Sequence, residues 1–271
     1  MPEVPEFRSR YGPCALVAGA AVGLGAEWSR QLAARGLDLV LVDRDAGPLV
    51  ATCDAIRREH AVEVVPAVVD LGRADVVDAV ARAVGDREIG LLVYNAALGT
   101  VAPFLEMDPA HMARMLDVNC RAPMLLVHAL APAMARRGRG GIVLLSSMSG
   151  NVGSAQLAVY AATKAFDLVL SDALWAELHD RGVDVLAVQP GSTRTPGWLT
   201  SQGPGADVTG PMVMDPADVV REALDALGGD ATVLVPGELN RMGAQAIASL
   251  PRRQAIEMMS QVTAKLVRND R

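Results

Sequence analysis

The chain has 271 residues, half of them hydrophobic, only 3% aromatic, with a net charge of −6. That length allows one large α/β domain with a substantial aliphatic core. An acidic balance gives no electrostatic footprint for nucleic acid. The three cysteines (Cys14, Cys53, Cys120) are scattered, and the four histidines lack metal-ligand spacing. A disulfide framework and a metal site are therefore not expected, and a reducing compartment is.

After an irregular start, Cys14–Ala18 reads as a strand. It runs into Gly19-Ala-Ala-Val-Gly23-Leu24-Gly25 and a helix to about Arg35. Glycines at a strand-to-helix turn allow tight geometry and close approach of a diphosphate. The helix start adds free N–H groups and a positive dipole end. Leu37–Val42 is the next strand, ending at Asp43-Arg44, and Gly47–Glu59 is a helix. An acidic residue there, about 20 residues beyond the glycines, can accept from ribose hydroxyls and would repel a 2′-phosphate. Arg44 would offset that repulsion, and Asp43 could instead serve as a helix cap. The balance favours NAD over NADP.

Val62–Val69 is a strand, followed by Asp70-Leu71; Ala74–Val84 is a helix and Ile89–Tyr94 a strand. Asp70 suits an adenine amino group or a cap. Pro109 to about Arg137 is a long helical stretch containing Asn119. Pro123 has no N–H for the Asn119 carbonyl, which frees that carbonyl to hold a water facing Lys164. Gly141–Ser146 is a strand and Leu157–Arg181 a long helix. Val183–Val188 is a strand, Pro216–Leu227 a helix and Thr232–Val235 the last strand. The tail from Glu238 is helical in two pieces broken near Pro251.

Strands alternating with helices predict a mostly parallel seven-stranded sheet with helices on both faces, a single-domain doubly wound Rossmann fold. Residues 192–215, rich in Gly, Pro, Ser and Thr, read as a lid over a substrate. Trp198, Leu199, Met212, Val213 and Met214 would give it an apolar inner face. No run reaches the ~20 apolar residues of a membrane span, and the N-terminus lacks a signal-peptide core. A soluble cytoplasmic protein is expected.

The most informative segment is Tyr160-Ala-Ala-Thr-Lys164, with Ser147 upstream. Residues four apart share one helix face. An ammonium beside a phenol favours the phenolate and lowers a pKa that is ordinarily near ~10. Such a tyrosine can exchange a proton near neutral pH. A serine hydroxyl nearby can hold the oxygen that receives it.

With these motifs in hand, the chain resembles the classical short-chain dehydrogenase/reductase family over roughly residues 13 to 195. Gly19-x-x-x-Gly23-x-Gly25 matches the family's cofactor loop, and Asp70-Leu71 its adenine-contacting pair. Asn95-Ala96-Ala97 resembles its Asn-Asn-Ala-Gly segment. Asn119, Ser147, Tyr160 and Lys164 match its catalytic tetrad in order and spacing. Pro190-Gly191 with Thr193 and Thr195 resembles the segment that meets the nicotinamide. Three positions depart from the family pattern: Ala18 replaces threonine, Tyr94 replaces asparagine and Ala97 replaces glycine.

The resemblance implies hydride transfer between nicotinamide and a hydrophobic secondary alcohol or ketone. It also implies a homodimer or homotetramer. Tyr160 would be the general acid and base, Ser147 the oxygen donor, and Lys164 the group that tunes Tyr160 and holds the ribose. Two other readings are an NADPH-dependent 3-oxoacyl reductase and a dinucleotide-binding sensor without turnover.

Overall fold

The structure is a computed structural model, and residues 4–201 and 208–267 are described. A first helix, α1 (Val4–Tyr11), precedes β1 (Cys14–Ala18) and α2 (Gly23–Ala34). Then come β2 (Asp38–Asp43), α3 (Ala46–Glu59), β3 (Val64–Val68), α4 (Val76–Val84) and β4 (Ile89–Tyr94). Helices α5 (Pro109–Leu116) and α6 (Ala122–Arg137) lead to β5 (Gly140–Leu145), α7 (Ala158–Leu178) and β6 (Val183–Val188). The chain continues through α8 (Pro196–Ser201), α9 (Pro216–Ala226) and β7 (Val233–Leu234) to α10 (Glu238–Ser249) and α11 (Arg252–Val267). Among the described residues no helix is long and apolar enough to cross a membrane.

All strand pairs of the seven-stranded sheet are parallel, in the order β3-β2-β1-β4-β5-β6-β7. Side chains alternate between its two faces. Ala15, Val17, Leu39, Leu41, Leu91, Val93, Val143 and Leu145 point into one core with Phe7, Trp28, Leu32 and Leu49. Leu16, Val40, Val42, Leu92, Ile142 and Leu144 point into the other, against Val80, Leu126 and Met134. Both faces are buried, so the strands read as unbroken apolar runs. The strand order reverses between β1 and β4, and a doubly wound sheet opens a crevice at the carboxyl ends there.

Four sequence expectations are corrected. The irregular start is helix α1, whose Phe7 and Tyr11 are almost wholly buried beneath the sheet. Their rings contact each other at 4.8 Å, a tertiary gain that an eight-residue helix shows poorly in periodicity. Leu37 precedes its strand rather than opening it. The Pro109–Arg137 stretch is not one α-helix but is split by a π-helical turn, Asp117–Arg121. The turn falls where Pro123 withholds an N–H from the preceding turn. The proposed lid contains the short helix α8, and an isolated parallel bridge joins Thr193 to Met214. Leu199 and Met212 are exposed rather than inward-facing. Residues 202–207 of that segment lie outside the described residues.

Beneath the sheet, at the end opposite the crevice, the Tyr11 hydroxyl donates to Asp184 at 2.6 Å, and Arg10 pairs with the same carboxylate at 2.6 Å. Burial and this carboxylate push the Tyr11 phenol well above its ordinary range. Tyr11→Phe leaves the carboxylate with Arg10 alone. A hydrogen bond to a charged group contributes about 1.5–3 kcal/mol. Urea unfolding of Tyr11→Phe should show a loss of that size with cofactor affinity unchanged; an unaltered midpoint would rule out the role.

Candidate active site

The crevice begins at the exit of β1. Gly19 adopts φ +81° and Gly23 φ +60°. A Cβ on Gly25 would lie 1.8 Å from the Gly19 carbonyl oxygen, and one on Gly19 would lie 2.6 Å from the Ala96 Cα. Only glycine fits at either point. The Asn95 amide donates to the Gly19 carbonyl at 2.8 Å, and the Asn95 and Ala96 N–H groups both donate to Ala18 O. These contacts join the β1 and β4 exits. No side chain caps α2: Val22 stands at its start. The first N–H groups of that helix are thus available for an anion beside a backbone that lets one approach.

Two adjoining cavities follow. The first, about 280 Å³, is lined by Gly19, Asp43, Arg44, Asp70, Leu71, Asn95 and Ala97, with Asp45 and Arg114. The second, about 170 Å³, is lined by Leu24, Asn95, Ala97, Ser147, Tyr160, Lys164, Pro190, Gly191, Thr193 and Thr195, with Trp198. Asn95 and Ala97 belong to both, so the two form one continuous cleft across the carboxyl ends of β1, β2, β4, β5 and β6.

Asp43 is held in place. Its carboxylate accepts from the Ala21 N–H at 2.9 Å and the Asp45 N–H at 3.2 Å. It does not cap α3, whose first residue is preceded by Asp45 with no side-chain cap. Asp70 pairs with Arg114 at 2.7 Å and accepts from the Gly72 N–H. The guanidinium holds the Asp70 carboxyl below its ordinary value. The Arg114 partner was missed from sequence because it lies 44 residues away, on α5.

Ser147 sits in extended backbone after β5. Its hydroxyl oxygen accepts from the Ser149 N–H at 3.2 Å and the Ser149 hydroxyl at 3.0 Å. Its own hydrogen remains available to a ligand oxygen. Tyr160 and Lys164 stand one turn apart near the start of α7, with the ammonium 5.9 Å from the phenol ring centroid. Lys164 is 3% exposed. Its ammonium donates to Leu145 O at 2.6 Å and to Asp167 at 3.0 Å. The Ser146 hydroxyl donates to the Lys164 carbonyl, fixing α7 to the end of β5.

Three candidate residues do not line the cleft. Gly25 packs against backbone. Gly23 faces the other side of the turn, near Thr195. Asn119 is buried in the π-turn, where its amide exchanges two hydrogen bonds with Leu98 and donates to Thr163 at 3.0 Å. It ties the loop after β4 to α7. Asp167 was missed; its signal was an acidic residue three positions beyond Lys164 on an otherwise apolar stretch. Tyr94, a departure from the family pattern, sends its buried hydroxyl to Val118 O at 2.5 Å. It therefore braces the same π-turn from β4.

A family model for short chain dehydrogenases matches residues 13–202. A 7beta-hydroxysteroid dehydrogenase of Clostridium sardiniense is 32% identical over 236 residues, covering 87% of this chain and 90% of that one. A solved 7beta-hydroxysteroid dehydrogenase superposes with a TM-score of 0.88 at 26% identity, over 93% of this chain and 98% of the other. A short-chain dehydrogenase from Sphingobium yanoikuyae, solved with NADPH, has a TM-score of 0.76 at 34% identity, over 91% and 96%. With the parallel sheet and its carboxyl-end cleft, these likenesses establish that the chain belongs to the short-chain dehydrogenase family, as an oxidoreductase acting on CH–OH groups.

Proposed function

We propose that the chain is an NAD(H)-dependent oxidoreductase that moves hydride between nicotinamide and a hydrophobic secondary alcohol or ketone of steroid bulk. One observation carries this reading: Ser147, Tyr160 and Lys164 meet in a cavity continuous with the Gly19–Asp43 cavity. The glycine turn, Gly19, Gly23, Leu24 and Gly25, fits a diphosphate because its backbone is bare and the α2 start is uncapped. Asp43 would meet the adenosine ribose, with Asp70, Leu71 and Arg44 around the adenine side. Asn95, Ala97, Pro190, Gly191, Thr193 and Thr195 would border the nicotinamide half.

When bound, the dinucleotide supplies or accepts the hydride. The residues of the chain handle the proton and the oxygen. Tyr160 protonates the carbonyl oxygen during reduction and takes the alcohol proton during oxidation. Ser147 donates its unused hydrogen to the same oxygen, where negative charge builds in the transition state. Lys164 supplies a positive charge beside the phenol and a donor for the ribose. Asn119 acts at one remove, holding the loop after β4 against α7.

The alcohol-bearing substrate would enter past Trp198 on α8, and we assign α8 with residues 208–215 as its cover. The likeness to 7beta-hydroxysteroid dehydrogenases supports a rigid, bulky substrate. Helices α6 and α7 expose Met124 and Val169, which supports pairing of two copies there, as homodimer or homotetramer. For the cofactor, the pinned Asp43 carboxylate favours NAD, whereas the likeness to an NADPH-bound relative and the neighbouring Arg44 support the phosphorylated cofactor.

Tyr160→Phe should lose ~10²–10⁴-fold in turnover of a hydroxysteroid, followed by nicotinamide absorbance, while NADH binding persists. Retained turnover in a purified sample would reject the role of Tyr160. Gly25→Ala cannot keep the turn, because its methyl group meets the Gly19 carbonyl. Loss of cofactor binding, read by fluorescence titration, is expected even if the fold survives. For Asp43→Ala, NADH should bind more weakly and NADPH should gain relative to it; an unchanged ratio would remove the preference for NAD.

A further inference from the structure

Asp167 is 2% exposed on α7 and lies 3.0 Å from the Lys164 ammonium, itself 3% exposed. Few carboxylates are buried this deeply. Its second oxygen, Oδ1, and the Ser171 hydroxyl one turn further on find no hydrogen-bond partner among the described residues. Two other ionisable groups interact with this carboxylate: Tyr94 from β4 and Cys120 from the π-turn. Burial pushes both upward and keeps them neutral, Tyr94 well above its ordinary range and Cys120 to about 11. Among the described residues Lys164 is the one cation acting on Asp167. Burial pushes the Asp167 carboxyl up and the ammonium draws it back.

A half-satisfied buried ion pair is costly, and an apolar pair of like volume is often as stable or more so. What a leucine at 167 could not do is keep a proton on a buried amine. An unpaired lysine in such a place loses its proton at lower pH, because desolvation penalises the charged form. The geometry also fixes direction. The ammonium has three donors; Leu145 O takes one and Asp167 takes another. Lys164 lines the second cavity beside Ser147 and Tyr160, so the third donor is left for the cleft.

We propose that Asp167 is a positioning residue for the proton-transfer step, holding Lys164 charged and aimed so that a single N–H serves the cleft. This rests on the assignment of Tyr160 and Lys164 above. Tyr160 then has a fixed amine beside it, 5.9 Å from its ring centroid. Asp167 lines neither cavity and acts through Lys164.

The chain has three tyrosines, and burial pushes two of them, Tyr11 and Tyr94, upward. Tyr160 can therefore be followed by near-ultraviolet absorption of its phenolate, without substrate or cofactor. The transition absent from Tyr160→Phe identifies it. In Asp167→Asn, which keeps the shape and removes the charge, that transition should move up by roughly one pH unit or more, because the neighbouring amine has become neutral. NADH titration of the same variant should weaken ~10-fold from about pH 6 to about pH 9, while the parent protein holds its affinity.

An unmoved or lower phenolate transition in Asp167→Asn, or none assignable to Tyr160, overturns the proposal. If Asp167→Asn does not fold by circular dichroism, Asp167→Ser carries the same expectation. The two readings fail separately. Turnover lost in Tyr160→Phe with an unresponsive phenolate rejects Asp167 alone. A responsive phenolate in a protein without turnover rejects the activity alone.

Discussion

The approach of one backbone to another at Gly19 and Gly25 sets the position of everything else in the cleft. The first turn of α2 lies so close to the β1 exit that a single methyl group would collide with a carbonyl oxygen. That contact brings the uncapped start of α2 over the carboxyl end of the sheet. Asn95 then closes on the same carbonyl and draws the β4 exit alongside. Reversal of strand order between β1 and β4 would open a gap in any parallel sheet. Here the gap has a bare backbone on one side and an asparagine brace on the other, so it becomes a defined cleft.

The second wall of the cleft is made by α7, which serves the core and the site together. It packs on β5 and β6, and its Lys164 is tied to the end of β5. The Ser146 hydroxyl reaches the Lys164 carbonyl, and the Lys164 ammonium reaches the Leu145 carbonyl. Two adjacent residues at the end of one strand thus bind the backbone and the side chain of one lysine. Asn119 adds a third tie through Thr163. Asn119 lies in the π-turn, at a place where a regular α-helix would leave its carbonyl facing Pro123, which has no N–H. Tyr94 braces that turn from β4, its hydroxyl donating to the Val118 carbonyl.

The fold was legible in sequence because apolar strands and glycine-marked turns are local signals. Every strand from β1 to β7 lay within two residues of its expected bounds. The crevice residues Gly19, Asp43, Asn95, Ser147, Tyr160 and Lys164 were legible for the same reason, as each sits at the carboxyl end of a strand or the start of a helix. What sequence did not disclose was tertiary. Helix α1 exists because Phe7 and Tyr11 are buried under the sheet, and Arg114 finds Asp70 across the cavity mouth. Asp167 looks like a surface residue of a long helix until the packing of α7 turns it inward. The inner face assigned to Leu199 and Met212 rested on composition, which carries no direction.

The Asp43 carboxylate shows how local structure bears on cofactor choice. A free aspartate at the end of β2 could turn away from a 2′-phosphate. This one is held by two N–H groups, Ala21 from the glycine turn and Asp45 from the approach to α3. Its charge is therefore fixed at the rim of the first cavity, and swinging out would strand both donors. Arg44, next in the chain, is half exposed and only loosely paired with Asp45 at 3.8 Å. A carboxylate held there opposes a 2′-phosphate and the neighbouring guanidinium attracts one, so the balance of the two sets the cofactor choice. The proposed preference for NAD therefore rests on the same turn that is proposed to hold the diphosphate, since the Ala21 N–H of that turn holds the Asp43 carboxylate.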